Sequence, residues 1–77
     1  MTSLPTTTNR QDYLKAILSI ELKGGKASTS AIATRLSTQP ASVTGMLKVL
    51  SDHNLVSYVP YQGAELTSTG KVQAINL

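Results

Sequence analysis

The sequence contains no cysteine, tryptophan or phenylalanine, and it has a single histidine. Without cysteine the chain can form neither a disulfide nor a thiolate metal site, and a cysteine-free composition fits the cytoplasmic location that we expect. Its aromatic residues are three tyrosines, too few for a surface that stacks single-stranded nucleic acid. No glycine-rich phosphate loop, nucleophile with a nearby base, or pair of catalytic carboxylates is recognisable. We therefore do not expect an enzyme.

Long apolar runs are also missing, since no stretch approaches the ~18–20 residues that a membrane span requires, and we expect no membrane partner. The start of the chain has neither the positive charge nor the apolar segment of a secretory signal. Because residues 1–8 are mostly Thr, Ser and Pro, we predict a flexible leader there. Residues 9–77 then form one small domain.

The charge is mildly basic, with seven Lys and Arg against four Asp and Glu, a formal net charge of +3. Such a bias is compatible with polyanion binding, but many proteins with this charge bind no polyanion. The function therefore has to be inferred from the order of the predicted elements.

Apolar residues recur at helical spacing from residue 9 to 22, which predicts a first helix capped by Asn9 and ended by Gly24 and Gly25. A short second helix is predicted over residues 30–36, with Ser28 or Thr29 as its cap. A third begins at Pro40, where the missing N–H costs nothing, with Ser37 or Thr38 as its cap. It ends near residues 52–54.

Two short β segments follow at residues 55–59 and 64–66, separated by a turn at residues 60–63. Thr67 or Ser68 then caps a last helical segment that runs to Leu77. Three helices, a hairpin and a helix make a mainly α fold with a small β-hairpin. This is the layout of a winged helix-turn-helix domain.

The third helix has one apolar side and one small, polar side. At ~100° per residue, Val43, Met46, Leu47 and Leu50 point inward. The opposite side carries Ala41, Gly45, Lys48 and Asp52, flanked by Ser42 and Thr44. Small side chains allow a helix to approach the floor of a major groove, where hydroxyls can bind phosphates and alanine can touch a thymine methyl. The alternative is an ordinary solvent-facing surface, but the position between a short helix and a hairpin favours DNA.

Candidate DNA contacts can be assigned on this basis. Lys48 and Gln39 are the polar side chains able to reach bases, while Gly45 destabilises the helix by ~1 kcal/mol relative to Ala and is interpreted as permitting close approach. Gln62, at the hairpin tip, belongs either to a tight turn or to a wing that touches the DNA backbone. The full candidate set is Ser30, Gln39, Pro40, Ala41, Ser42, Thr44, Gly45, Lys48 and Gln62.

Four segments resemble the amino-terminal domain of the diphtheria toxin repressor family, the iron- and manganese-dependent regulators. The resemblance runs from residue 11 to 74 and is most specific in its last segment. The segments are Asp12-Tyr13-Leu14-Lys15-Ala16-Ile17, Ser30-Ala31-Ile32-Ala33-Thr34-Arg35-Leu36, Gln39 through Leu47, and Leu55-Val56, Tyr58, Pro60-Tyr61, Gly63, Leu66-Thr67 with Gly70.

The resemblance implies a transcriptional repressor that binds double-stranded DNA as a homodimer when Fe(II) or Mn(II) is present. It implies that Ser42 and Thr44 contact phosphates and that Ala41 and Gly45 face bases. It also implies that Asp12 is a metal ligand, a role that its hard carboxylate suits.

The sequence departs from this pattern at Lys15, where manganese-type members carry a second carboxylate. The remaining metal ligands of the family lie beyond the fourth helix, so we expect no metal bound to these 77 residues and only weak, monomeric DNA binding. A carboxylate near a helix start is equally explained by the helix dipole. Two alternatives remain, a winged-helix regulator that answers to another effector and a winged helix used only for protein contacts.

Overall fold

The computed structural model describes residues 10–59 and 62–75. It confirms the mainly α winged helix-turn-helix with its small β-hairpin. The proposed cap Asn9, the predicted leader and the end of the last helix at Leu77 lie outside the described residues. The elements are α1 (Arg10–Leu22), α2 (Thr29–Leu36), α3 (Pro40–Asp52), β1 (Val56–Val59), β2 (Gly63–Leu66) and α4 (Ser68–Ile75).

One hydrophobic core lies between the first three helices and the hairpin. Its largest fully buried side chains come from α1, α2 and α3, and among the described residues Tyr13 is the one buried side chain that carries a polar group. Three of the four predicted inward residues of α3 are buried, while Met46 is partly buried against the core. The fully buried set is Leu14, Ile17, Ile32, Val43, Leu47 and Leu50.

The first three helices end in the same way. Each is followed by a residue with positive φ, which is Gly24 (81°), Ser37 (53°) or Asn54 (61°). The next amide then donates to a carbonyl in the last turn of the helix, which closes the helix end. These bonds are Gly25 to Ile20 (3.1 Å), Thr38 to Ala33 (3.0 Å) and Leu55 to Leu50 (2.9 Å).

The structure identifies the caps of α2 and α3. Ser28 caps α2, since its hydroxyl accepts a hydrogen bond from the Ala31 amide at 3.0 Å. The predicted cap of α3 was wrong, because Gln39 occupies that position and makes no side-chain cap hydrogen bond. Ser37 instead ends α2 in the left-handed conformation, and the Thr38 side chain bonds to Tyr13.

The hairpin gains a third partner that the sequence did not reveal. β1 and β2 pair antiparallel with Val56 opposite Leu66, and Ala27 forms a bridge with Ala64 on the other side of β2. The Ala64 amide donates to the Ala27 carbonyl at 3.0 Å. A Cβ at Gly63 would lie 2.7 Å from that carbonyl oxygen, and Gly63 also has a φ of +106°. Only glycine fits at this point.

α4 is fixed to the hairpin by Thr67, the residue just before it. The Thr67 hydroxyl accepts from the Gly70 amide at 3.0 Å and donates to the Asn54 carbonyl at 2.7 Å. Thr67 is therefore the cap, one of the two predicted. α4 packs on α1, yet its apolar residues Val72 and Ile75 are 60% and 70% exposed. No helix in the described part of the chain has the length and apolar character needed to cross a bilayer.

Candidate nucleic-acid interface

The outward face of α3, formed by Ala41, Gly45, Lys48 and Asp52, is exposed along its whole length. Val43, Leu47 and Leu50, on the opposite side of the helix, are completely buried. This burial fixes the rotation of α3 about its axis, so that the small residues face solvent. The face is neither packed inside the fold nor covered by the described part of the hairpin.

Three contacts set the position of α3. At the start of α3, Ser37 adopts the left-handed backbone conformation and the Thr38 amide donates to the Ala33 carbonyl. The resulting short turn holds α3 against α2. Tyr13, buried in α1, hydrogen-bonds to the Thr38 side chain, while its burial raises the pKa of the Tyr13 hydroxyl above 10.0. At its end, the closing bond between the Leu55 amide and Leu50 leads directly into β1.

The two hydroxyl residues beside the outward face differ. Ser42 is exposed, whereas Thr44 is half-buried and its hydroxyl donates to the Pro40 carbonyl, one turn earlier, at 3.2 Å. The Thr44 oxygen keeps acceptor capacity but its proton is engaged within the helix. Ser42 is therefore the better placed of the two to donate to a phosphate.

The other candidate residues lie around α3. Gln39 and Pro40 are exposed at its start. Ser30 is exposed in the first turn of α2, where it borders a shallow depression that Ile20 and Arg35 also line. Gln62 is exposed at the hairpin turn, and its amide donates to the Val59 carbonyl at 3.0 Å. The structure thus groups Gln39 to Lys48 on one helix and leaves Ser30 and Gln62 on neighbouring elements.

The charge on the outward face is sparse. Lys48 is the single cation of α3, and Asp52 follows one turn later. The first two turns carry no charged side chain, and Pro40 has no N–H to offer. Charge-assisted contacts by α3 are therefore confined to its second half, and the first half can offer only hydroxyl, amide and apolar contacts.

The described residues do not fit a metal centre. Asp12 is exposed in the first turn of α1, and the exposed Lys15 follows one turn later on the same side of the helix. The described parts of the chain contain no group of three or more His, Cys, Asp or Glu side chains able to hold a metal ion. One carboxylate beside an ammonium group does not provide the several oxygen or nitrogen ligands that such ions need.

Three residues that position the site were not identified from the sequence. They are Tyr13, which bonds to Thr38, Ala27, which pairs with β2, and Glu21, whose carboxylate accepts from the Leu66 amide at 3.0 Å. The Glu21 bond joins residues 45 positions apart. No local pattern announces such long-range pairs, since only the three-dimensional packing brings them together.

Comparison with known proteins agrees with this geometry. Residues 5–64 match the family described as iron dependent repressor, N-terminal DNA binding domain. The HTH-type transcriptional regulator MntR of Oceanobacillus iheyensis is 38% identical over 65 residues, 84% of this chain and 44% of that protein. MntR of Bacillus subtilis is also 38% identical, over 66 residues, 86% of this chain and 46% of that protein. The chain thus spans less than half the length of these relatives.

Solved structures agree as well. The manganese regulator SloR superposes with a TM-score of 0.73 at 33% identity, covering 86% of this chain and 31% of SloR. An O-methyltransferase from neocarzinostatin biosynthesis superposes at 0.65, covering 94% of this chain and 24% of the enzyme, but its 17% identity shows a shared fold alone. Since the family match spans most of the sequence, this chain belongs to the iron dependent repressor family and corresponds to its N-terminal DNA binding domain.

Proposed function

We propose that this chain binds double-stranded DNA by placing α3 in the major groove, as the DNA-reading domain of a metal-dependent transcriptional repressor. The observation that carries the proposal is the outward face of α3, small and fully exposed on a helix whose opposite side is locked in the core. The family is one of DNA-binding regulators and not of enzymes.

Each candidate residue is assigned to the part of the DNA that its side chain suits chemically. Ser42, Thr44 and Lys48 are assigned to phosphates or base edges, while Ala41 and Gly45 face the bases and Gln39 and Pro40 meet the groove wall. Gln62 touches the backbone from the hairpin turn, and Ser30 does so from α2. With one cation on α3, phosphate contacts and DNA shape contribute more to binding than bidentate base readout.

Titration of a fluorescent duplex with the 77-residue chain at two salt concentrations tests this proposal. Binding to DNA releases counterions, so three phosphate contacts would weaken the affinity ~40-fold between ~50 mM and ~200 mM salt. Binding that does not change with salt, or no binding at all, would contradict the proposal. That result would favour the use of this winged helix for protein contacts.

Control by Mn(II) or Fe(II), in the cytoplasm, is proposed for a longer protein that contains this domain. The support is the family match and the manganese regulator SloR among the similar structures. Asp12 remains a candidate ligand, but no metal-dependent step can be built from the described residues. A regulator answering to another effector is the alternative.

Two measurements on the 77-residue chain test whether its DNA binding depends on metal and whether it is a monomer. Addition of MnCl₂ should leave its DNA affinity unchanged, because one carboxylate cannot hold the ion firmly. Sedimentation should show a monomer, with dimers formed by the longer protein on paired half-sites one helical turn, ~34 Å, apart. Tight binding that requires Mn(II) would show that these residues contain a complete metal site.

A further inference from the structure

The glycine at position 45 of α3 is not required by the fold. Apart from the neighbouring residues and backbone of its own helix, a Cβ added there would have no atom of the described residues within 4 Å, whereas one at Gly70 would overlap the Leu55 carbonyl oxygen. Gly45 also has no positive φ, so its backbone conformation suits any residue. Inside a helix, glycine is destabilising relative to alanine. Protein stability alone would therefore favour alanine over glycine at position 45.

The surroundings of Gly45 leave the helix backbone open to an approaching molecule. Ala41, one turn before it, and Lys48, just under one turn after it, are both exposed on the same face. The half-buried Thr44 turns its hydroxyl back to the Pro40 carbonyl. The first half of the outward face therefore consists of the short side chain of Ala41 and the backbone of Gly45.

We propose that Gly45 is a specificity-determining residue, because its missing side chain lets the backbone of α3 seat directly against the base-pair edges of the major groove. This inference rests on the proposed function, in which α3 enters that groove. A larger residue at position 45 would hold the helix away from the bases.

The proposal separates two kinds of contact. Base contacts depend on the exact depth of the helix in the groove, while contacts to phosphate position the protein and carry no sequence information. The flexible Lys48 side chain can follow a phosphate when the helix is lifted slightly. Enlarging residue 45 therefore reduces sequence preference and leaves general affinity for DNA almost unchanged.

The test begins with duplexes selected from a randomised pool by the 77-residue chain. The wild type, Gly45→Ala and Gly45→Leu are then titrated with the selected duplex and with a scrambled duplex of the same composition. Gly45→Ala should melt at a higher temperature than the wild type, yet bind the selected duplex about tenfold more weakly. Gly45→Leu should lose more, and both should bind the scrambled duplex within about twofold of the wild type.

Thr69→Ala is the matched control, since Thr69 is exposed on α4 and alanine favours that helix as well. It should raise the melting temperature without changing either affinity. If the wild type prefers the selected duplex and both Gly45 variants bind it equally well, this inference is overturned and the proposed function stands. Equal losses on both duplexes would also overturn it. A wild type that binds neither duplex would overturn the proposed function with it.

Discussion

The outward face of α3 and the junction between the hairpin and α4 both carry residues by which the chain resembles its family, but the two regions use them differently. At the junction, Thr67 bonds to both Asn54 and Gly70, and Gly70 leaves no room for a Cβ beside Leu55. On α3, a Cβ at Gly45 would meet no described residue beyond its own helix. The first set of residues is explained by the fold itself, while the second is explained by the DNA binding that we propose.

The difference between the two regions is tested most directly by making the same substitution, glycine to alanine, in each of them. Gly70→Ala should destabilise the chain by ~3 kcal/mol, because the new Cβ overlaps the Leu55 carbonyl and the backbone of α4 must move. For a domain of this size that is a large part of the total stability. Chemical denaturation followed by circular dichroism measures the loss. Gly45→Ala should instead stabilise the chain by up to ~1 kcal/mol, and equal effects would erase the distinction.

The hydroxyl of Thr67 gives the next largest effect. Thr67→Val keeps the shape of the side chain and removes its two hydrogen bonds, so it should cost ~1–2 kcal/mol. Thr67→Ser keeps the hydroxyl and should lose clearly less. Denaturation midpoints of the two variants check this, and DNA affinity measured well below the melting temperature should stay at the wild-type value. A Val variant as stable as the Ser variant would show that packing alone holds α4.

Lys48 tests whether the outward face of α3 contributes to DNA binding. Lys48→Ala should weaken DNA binding by ~1 kcal/mol and lower the salt slope by about one, without a change in melting temperature. Lys71→Ala removes the same charge from the exposed face of α4 and should leave binding nearly unchanged. Thr44→Ala should weaken binding by a similar ~1 kcal/mol. If both Lys48→Ala and Thr44→Ala bind DNA with unchanged affinity, the DNA contacts must lie on a surface other than α3.

The last prediction concerns Tyr13, whose contribution to stability depends on pH. Burial raises its pKa above 10.0, so the folded chain holds this proton more tightly than the unfolded chain. The resulting stabilisation is complete below pH 10 and disappears as the pH rises through the folded pKa. Tyr13→Phe should cost ~1 kcal/mol near neutral pH through the lost bond to Thr38. The variant should also lose less stability than the wild type between neutral and strongly alkaline pH, as denaturation at several pH values would reveal.

Local sequence patterns were sufficient to predict the order of the elements. The long-range contacts could not be predicted from such patterns. Helical spacing and turn residues located the starts of all four helices, the ends of the first three and both strands to within a residue or two, because these signals lie within a few positions of one another. The cap of α3 was assigned wrongly because the helix begins directly after Gln39, which therefore occupies the cap position in place of a serine or threonine. The exposure of Ala41, Gly45 and Lys48 followed from the buried stripe on the same helix. The bond between Glu21 and Leu66 had no local signal at all.

α1 has a role beyond filling the core, since it is joined to both parts of the candidate interface. Tyr13, near its start, bonds to the turn before α3, and Glu21, near its end, bonds to β2. Eight residues of helix span ~12 Å, a rigid distance between these two attachments. The residues on the outward face of α3 take no part in either one. Base preference could accordingly be redesigned at those positions while the separation between helix and hairpin stays as it is.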